Sequence, residues 1–592
     1  MQPVIHRLQA WLDQDSRRAT ATALLALLGL CGLAYFNGLG GLGLMDKTEG
    51  LFAEVPRQML RSGDWVTPRW NGELFFDYPV WGYWMVGLSY RLFGLTEWAA
   101  RLPAALAATA TVLALFAVLL LIAPAGERPC QRIGRASLCA SVLALSPGWV
   151  GWARSSVTDM FLASGISLAL LGFVLAWGAA DRPALRRLGH GALALFCGIA
   201  VLAKGPVGLL LPGLVIISFL LLKRALLPEL RRTPWLALVS LFLGVTLPWY
   251  AAATAANGTT FIARFLGFSN LERFTSVLYS HPGPPWFYLP WLLILLLPWS
   301  LYLPVAIART RFWRLASWQG PPAAGDLPLL ALIWLVLIVA FFSSAATKLP
   351  GYILPAMPGG ALLVGLLFAP LPSPSPAPPL AGGVRISGWF NAALLGLAAV
   401  AAVLAPRWIG GDPAYPHFAA AIAGSPLPWL LAVPLGLAAA SLLALLLRGG
   451  HQPQALGALW LPNAAGFGAV LALVLPVLTP LLDRERQLPI RQLARLAHER
   501  AHGAEPLLVV GYKRYSVVFY SGRPVLFVSS PQEAREALGT RAAGATSVLL
   551  LGSDPELLEF GIGPGDASLL GRRDAHVLVR LPLQRLTELN QR

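Results

Sequence analysis

Residues 19–39, ATATALLALLGLCGLAYFNGL, decide the fold of this chain. The stretch carries no charged side chain, and a helix of about 20 such residues crosses the ~30 Å hydrocarbon core of a bilayer. Arg17 and Arg18 precede it, and neither a short apolar run nor a small-residue cleavage site marks a cleaved signal. We therefore expect a first helix that stays anchored in the membrane.

Similar apolar segments recur as far as about residue 481. Together they predict a mainly α-helical polytopic membrane protein with about 13 transmembrane helices. The composition supports this class, since only 12% of the 592 residues are charged, about half the fraction in a soluble domain. After the first, the predicted helices lie near residues 101–123, 134–149, 157–178, 187–201, 205–222, 234–254, 286–307, 327–344, 351–369, 387–405, 428–447 and 457–481.

Basic residues in alternate short loops predict the orientation and the partners. Loops near residues 128–135, 182–187, 223–232 and 309–314 are rich in arginine or lysine, as cytoplasmic loops are. The N-terminus is then on the cytoplasmic side of the membrane, which we expect to be the bacterial inner membrane. The long loop 40–100 is then periplasmic. Because much of the net charge of +17 lies in such loops, we expect membrane lipids as partners and no nucleic acid.

The tail from about Arg484 has the composition of a soluble domain. Residues 488–501 form an amphipathic helical pattern, and SPQEAREAL and DPELLEF are helical stretches between short β-type runs. Strands that alternate with helices predict a small α/β domain. We divide the chain into a membrane domain, residues 1–482, and a periplasmic domain, residues 483–592. The predicted strands are Leu507–Val510, Ser516–Tyr520, Val525–Val528, Ser547–Leu551 and Val577–Leu581.

Three acidic residues follow the first helix directly, within nine positions. Asp46, Glu49 and Glu54 open a loop in which Leu51–Leu60 and Val80–Leu92 have the pattern of helices lying at the interface. Carboxylates here suit a general base or a cation ligand. Helix capping explains the same spacing equally well.

Further charged and aromatic residues fall at predicted outer helix ends. Asp77 and Tyr78 stand in an aromatic cluster that either stacks on a sugar or lipid or forms an ordinary interfacial belt. The charges at the helix ends are each either a snorkelling anchor or part of a shared site for an anionic phosphate. These residues are Asp159, Lys204, Glu272, Arg273 and Lys348.

At these residues the chain resembles the bacterial GT-C glycosyltransferases related to protein O-mannosyltransferases and to the transferase that adds aminoarabinose to lipid A. The resemblance covers roughly residues 20–370. Its most specific piece is AEVPRQMLRSGDWVTPRWNGELFFDYPVWGYW, residues 53–84. Further ordered matches are Asp159, Lys204-Gly205, Leu247-Pro248-Trp249, Glu272-Arg273-Phe274, Pro285-Trp286-Phe287-Tyr288 and residues 348–355, KLPGYILP.

The resemblance implies a polyprenyl-phosphate sugar donor that is used on the outer side of the membrane. It implies a catalytic acid directly after the first helix, with Asp46 our first choice and Glu49 our second, because Thr48 occupies another position that is acidic in relatives. Asp159 is then the second family acid. The residues expected to bind substrate are Arg57, Asp77, Tyr78, Lys204, Glu272, Arg273, Lys348 and Tyr352, with Lys204, Arg273 and Lys348 holding the donor phosphate.

The acceptor is not readable from the sequence. Lipid A or another envelope glycolipid or glycan is the first expectation, and a protein acceptor is the alternative. Lipid A transferases have Glu-Lys where this chain has Asp77-Tyr78, so one phosphate contact is missing.

The chemistry requires no cofactor, although Asp46, Glu49 and Asp77 could hold a divalent cation. A lipid or sugar-lipid transporter is the rival of another class, but we find no internal repeat.

Overall fold

The computed structural model describes residues 13–589 except 125, 266–281, 320, 372–380, 412–414, 450–451, 540–543 and 564. Glu272 and Arg273 therefore lie outside the described residues. The helices up to residue 500 are α1 (Ser16–Cys31), α2 (Thr48–Ser62), α3 (Trp81–Phe93), α4 (Glu97–Leu121), α5 (Pro129–Ala144), α6 (Pro147–Ala153), α7 (Thr158–Gly178), α8 (Pro183–Lys204), α9 (Val207–Leu222), α10 (Leu226–Arg232), α11 (Trp235–Ile262), α12 (Tyr288–Leu295), α13 (Leu303–Thr310), α14 (Leu327–Ser344), α15 (Met357–Phe368), α16 (Ala381–Trp408), α17 (Phe418–Ala423), α18 (Leu427–Gly449), α19 (Trp460–Leu482) and α20 (Leu488–Arg500).

The chain is a multi-pass membrane protein. Among the described residues, ten helices are long and apolar enough to span a membrane, or up to twelve if each of two bent pairs is one span. The sequence prediction of about 13 is higher because it counted residues 205–222, where α9 has 16 residues, fewer than a full span needs. The bent pairs are α5 with α6, at 64°, and α12 with residues 299–310, at 111°.

The membrane helices differ in which of their faces are covered by protein. Helix α7 is buried on nearly every side. Helices α11, α16 and α18 instead leave large apolar side chains uncovered, among them Leu236, Leu397 and Leu437. Such residues contact lipid at no cost, because the hydrocarbon core is as apolar as they are.

Loop 40–100 folds into two helices and a hairpin on top of the membrane helices. The predicted stretches Leu51–Leu60 and Val80–Leu92 are confirmed as α2 and α3. Between them, strands β1 (Arg69–Trp70) and β2 (Glu73–Leu74) pair antiparallel. Asn71 and Gly72 join the strands with φ of 54° and 84°, which is the positive-φ pair that a two-residue hairpin turn requires.

The C-terminal part contains a five-stranded mixed sheet of order β4-β3-β5-β7-β6. Strands β3, β4 and β5 are parallel, and β7 and β6 complete the sheet antiparallel. This confirms the predicted small α/β domain. Its elements are β3 (Leu507–Val510), α21 (Ser516–Ser521), β4 (Val525–Val528), α22 (Pro531–Leu538), β5 (Ser547–Ser553), α23 (Asp554–Glu559), β6 (Ser568–Arg573), β7 (His576–Pro582) and α24 (Leu583–Glu588).

One prediction for this domain was wrong, and one strand was missed. Residues 516–520, SVVFY, form the helix α21 rather than a strand, because it lies between α20 and α2 and five of its six side chains are buried. A short apolar run does not distinguish a buried strand from a buried helix turn. The edge strand β6, which is mostly exposed and bulged between Leu569 and Gly571, was missed.

The division at residues 482/483 remains a prediction. Helix α19, a π-helical turn at Asp483–Gln487 and helix α20 follow one another without a linker. The domain also rests on loop 40–100. The side chain of Asn71 exchanges two hydrogen bonds with the backbone of Val525, at 2.7 and 2.8 Å.

Candidate active site

Glu49 is the structural centre of the loop that follows α1. Its carboxylate forms a buried ion pair with Arg101, with Arg101 Nη2 at 2.6 Å from Oε2 and Nε at 2.9 Å from Oε1. The backbone N–H groups of Met45 and Ser156 also donate to it. The Ser156 bond ties the loop to the segment that carries Asp159.

The protonation state of Glu49 follows from these contacts. Burial alone would raise the pKa of this carboxyl. The charge and hydrogen bonds of Arg101, with the two backbone donors, outweigh burial and hold the pKa below its ordinary value. A carboxylate with these four donors is well suited to holding the loop and poorly suited to accepting a proton.

We expect Glu49→Gln to destabilise the protein by about 3–5 kcal/mol, because it leaves the buried Arg101 charge without a counter-ion. Thermal unfolding of the purified protein in detergent measures this. The matched control is Glu588→Gln, which breaks the exposed pair with Arg585 and should cost at most about 1 kcal/mol. A Glu49→Gln protein of unchanged melting temperature that had lost activity would instead point to a chemical role.

Asp46 lies three residues earlier in a different environment. Its Oδ1 accepts a hydrogen bond from the backbone N–H of Ser516 at 2.6 Å, and its Oδ2 accepts one from the Ser516 hydroxyl at 2.9 Å. Burial raises the pKa of Asp46 to about 6, even though the Ser516 bonds and the charge of Arg514 oppose the shift. Asp46 is therefore a better proton acceptor near neutral pH than an ordinary aspartate.

A cavity of about 600 Å³ opens beside Asp46, between the start of loop 40–100, the end of α19 and the C-terminal domain. Two arginines and two tyrosines give it a polar, aromatic wall. Arg486 lies over the Tyr415 ring, 4.4 Å from its centroid. The lining residues are Leu42, Met45, Asp46, Tyr415, Leu482, Arg486, Gln487, Ile490, Tyr512, Arg514, Ser553, Pro555 and Glu556.

A second polar centre joins Asp159 and Lys204. The Lys204 ammonium lies 2.7 Å from Asp159 Oδ1. It also lies 5.4 Å from the Tyr78 ring centroid and 4.8 Å from that of Tyr352. An ammonium ion at this distance from aromatic faces is attracted to them. Four residues that the sequence proposed separately are thus neighbours.

Lys348 precedes Tyr352 and belongs to the same region. Its ammonium donates to the carbonyl oxygens of Ser343, at 3.1 Å, and Ala345. The Phe342 ring contacts those of Tyr288 and Tyr352. In this arrangement Lys348 is buried and satisfied by backbone, so holding a phosphate would require its side chain to turn.

The two remaining proposed residues in the described part of the chain both lie near the C-terminal domain, Asp77 at Tyr515 and Arg57 at Phe519. Burial raises the pKa of the Tyr515 phenol in the C-terminal domain, and the nearby negative charge of Asp77 raises it further. Arg57 instead forms a buried bidentate pair with Glu54, at 2.5 and 2.6 Å. Its guanidinium lies over the Phe519 ring, so Arg57 supports the domain contact and is not joined to the Lys204 centre.

Sequence reasoning missed Arg101, Ser516, Arg514 and Arg486. Arg101 had a signal, because it is a charge at the start of a predicted membrane helix. Ser516 had none, since the sequence predicts a strand at this position, in another domain. Among the described residues, no three His, Cys, Asp or Glu side chains are grouped to hold a metal ion.

The fold is of the predicted GT-C type, as the solved structures that it matches show. The crystal structure of ArnT from Cupriavidus metallidurans bound to undecaprenyl phosphate aligns with a TM-score of 0.73 over 95% of this chain and 98% of that chain, at 23% identity. The apo structure of the same protein aligns with the same TM-score at 22% identity. The fold predicted from the sequence is confirmed.

Curated relatives are similar at the level of sequence. The chain is 33% identical over 376 residues to the undecaprenyl phosphate-alpha-4-amino-4-deoxy-L-arabinose arabinosyl transferase of Shewanella sediminis, covering 63% of each protein. It is 34% identical over 351 residues to the protein of that name from Pseudomonas paraeruginosa, covering 59% of this chain and 60% of the relative. The match thus spans less than two thirds of these relatives.

A family model described as dolichyl-phosphate-mannose-protein mannosyltransferase matches residues 77–251. This segment includes Asp77, Tyr78, Asp159 and Lys204. It includes neither Asp46 nor the C-terminal domain.

Proposed function

We propose that the chain is an integral-membrane glycosyltransferase that moves a sugar from a polyprenyl-phosphate donor to an acceptor on the periplasmic face of the bacterial inner membrane. One observation carries this proposal. Asp46, an acid of raised pKa beside a cavity, and Lys204, a cation among aromatic rings, belong to segments that the Ser156–Glu49 hydrogen bond and the Asp159–Lys204 ion pair connect. The undecaprenyl phosphate named in the relatives and in the ArnT structure supports the donor.

The Asp46 and Lys204 centres have different roles in a single displacement reaction. The acceptor hydroxyl oxygen attacks the anomeric carbon, the bond from this carbon to the phosphate oxygen breaks, and the electron pair leaves with polyprenyl phosphate. Asp46 takes the hydroxyl proton. Lys204 neutralises the leaving phosphate together with Arg273 and, once its side chain turns from the Ser343 and Ala345 carbonyls, Lys348. This stabilisation is worth more in a site that excludes water. The anomeric centre is inverted, and no cofactor is consumed.

The proposed acceptor is lipid A or another envelope glycolipid or glycan, whereas the names of the relatives describe the donor. A protein acceptor is the alternative, favoured by the family model over residues 77–251. Tyr78 stands where lipid A transferases carry a lysine and places a ring beside Lys204 instead of a second positive charge. We infer that this position contributes to the choice of substrate.

The envelope of a deletion strain tests the function and identifies the acceptor. Mass spectrometry of lipids and envelope glycans should show one glycosylated species missing, restored by the wild-type gene but not by an Asp46→Asn gene expressed at the same level. An envelope unchanged by the deletion would contradict the proposal.

We expect the transfer rate to depend on pH through Asp46. The residue accepts a proton only when deprotonated, and its pKa is raised to about 6. The rate should therefore be low at pH 5, rise through about pH 6 and level off above pH 7. A rate profile of the purified protein between pH 4.5 and 8 measures this, and a flat profile would exclude Asp46 as the base.

A further inference from the structure

The contact between Ser516 and Asp46 joins the C-terminal domain to the proposed catalytic acid. One residue donates to both carboxylate oxygens, through its backbone N–H to Oδ1 and through its hydroxyl to Oδ2. Two such bonds fix the plane of a carboxylate as well as its position. Ser516 itself is completely buried, so solvent does not compete for its hydroxyl.

The chain is built to allow this close approach. A Cβ atom at Gly50, on α2, would lie 2.4 Å from the backbone nitrogen of Ser516, so no larger residue fits there without moving α21. The Tyr520 hydroxyl accepts from the backbone N–H of Leu44 at 2.8 Å and donates to Glu97 at 2.9 Å. The bonds of Tyr520, four residues after Ser516, therefore hold α21 against the loop.

We propose that Ser516 is a positioning residue that holds the Asp46 carboxylate toward the cavity, so that the C-terminal domain completes the active centre. This inference rests on the proposed function. It assigns the domain a direct part in the transfer, whereas a domain that only docked a partner would need no bond to Asp46.

Other charged groups near Asp46 also influence its ionisation. Lys47 lies 5.0 Å from the Tyr512 ring, and Arg514 hydrogen-bonds Glu556. None of these groups donates directly to Asp46 within the described residues, whereas Ser516 donates twice. The charged and titratable groups that face this region are Lys47, Tyr415, Arg486, Tyr512, Arg514 and Glu556.

The pH profile of transfer by the full-length protein tests the role of Ser516. Ser516→Ala removes the hydroxyl bond that favours the ionised form of Asp46. The acid limb of the profile, where the rate rises with pH, should therefore move up by about one pH unit, and the rate at pH 6 should fall about fivefold. Ser516→Thr keeps the hydroxyl and should restore the wild-type limb. Asn71→Ala is the matched control, since it removes two bonds between loop and domain away from Asp46 and should leave the limb in place.

The outcomes distinguish failure of the proposed role of Ser516 from failure of the proposed function. A wild-type acid limb that Ser516→Ala leaves unmoved would overturn the positioning role while the proposed function stood. An equal shift in Asn71→Ala would also overturn it, because general loosening of the domain would then explain the effect. No transfer by the wild-type protein at any pH would contradict the proposed function itself. If Ser516→Ala does not fold, Ser516→Cys, which is close in size and a weaker donor, provides the same comparison.

Discussion

Asp46→Asn should lower the rate of sugar transfer by about 10²- to 10⁴-fold, the usual contribution of a general base. The asparagine has nearly the same shape but cannot take the proton of the acceptor hydroxyl. Because the donor phosphate is held elsewhere, at Lys204, the KM for the donor should change little. Steady-state rates with a labelled polyprenyl-phosphate sugar separate these two quantities.

The matched control for Asp46→Asn is Asp64→Asn in the same loop. Asp64 accepts hydrogen bonds from the backbone N–H groups of Val66 and Thr67 and lines no part of the cavity. Its substitution should leave kcat within about twofold of wild type, since a neutral side chain can still accept these bonds. If Asp46→Asn retained full activity with unchanged expression, Asp46 would not be the base.

Lys204→Met should weaken donor binding and also destabilise the protein. The substitution removes the cation that faces the donor phosphate, which is worth about 1.5–3 kcal/mol in binding, or roughly 10- to 100-fold. It also leaves Asp159 mostly buried without its partner, at a cost of up to about 3–5 kcal/mol. Binding of polyprenyl phosphate and thermal unfolding, both in detergent, measure the two effects.

The double variant Asp159→Asn/Lys204→Met separates binding from stability. It removes both charges, so most of the lost stability should return while donor binding stays weak. Recovery of donor binding together with stability would show that Lys204 serves only the fold. Loss of stability in the double variant equal to that in the single variant would show that the ion pair is not the cause.

Most of the membrane fold could be predicted from the sequence, because apolar length and charge in loops are local signals. The bends were not predicted. The apolar pattern predicts one helix over residues 134–149 although Pro147 lies within them, and the structure breaks there into α5 and α6. Since a proline disfavours helical backbone in the preceding residue, the signal was present but was outweighed by the apolar pattern.

The site was predictable as a set of residues but not as an arrangement. The sequence does not decide whether Asp46 or Glu49, three positions apart, is the catalytic base. The residues that bind these two carboxylates, and so distinguish them, lie far along the chain. The partner of Glu49 is Arg101, and the partner of Asp46 is Ser516, 470 residues away. Contacts of that range leave no periodic trace in a single sequence, and the SVVFY pattern itself predicts a strand.

The most direct test of the central claim is transfer by the purified wild-type protein in detergent, where no transport across a membrane can occur. Labelled polyprenyl-phosphate sugar is supplied with the acceptor identified from the deletion strain, and Asp46→Asn is assayed beside it. Movement of the labelled sugar onto the acceptor by the wild type, with release of polyprenyl phosphate and at least a 100-fold lower rate in the variant, is the expected result. A folded wild-type protein that bound the donor but transferred nothing would contradict a glycosyltransferase and favour a lipid transporter.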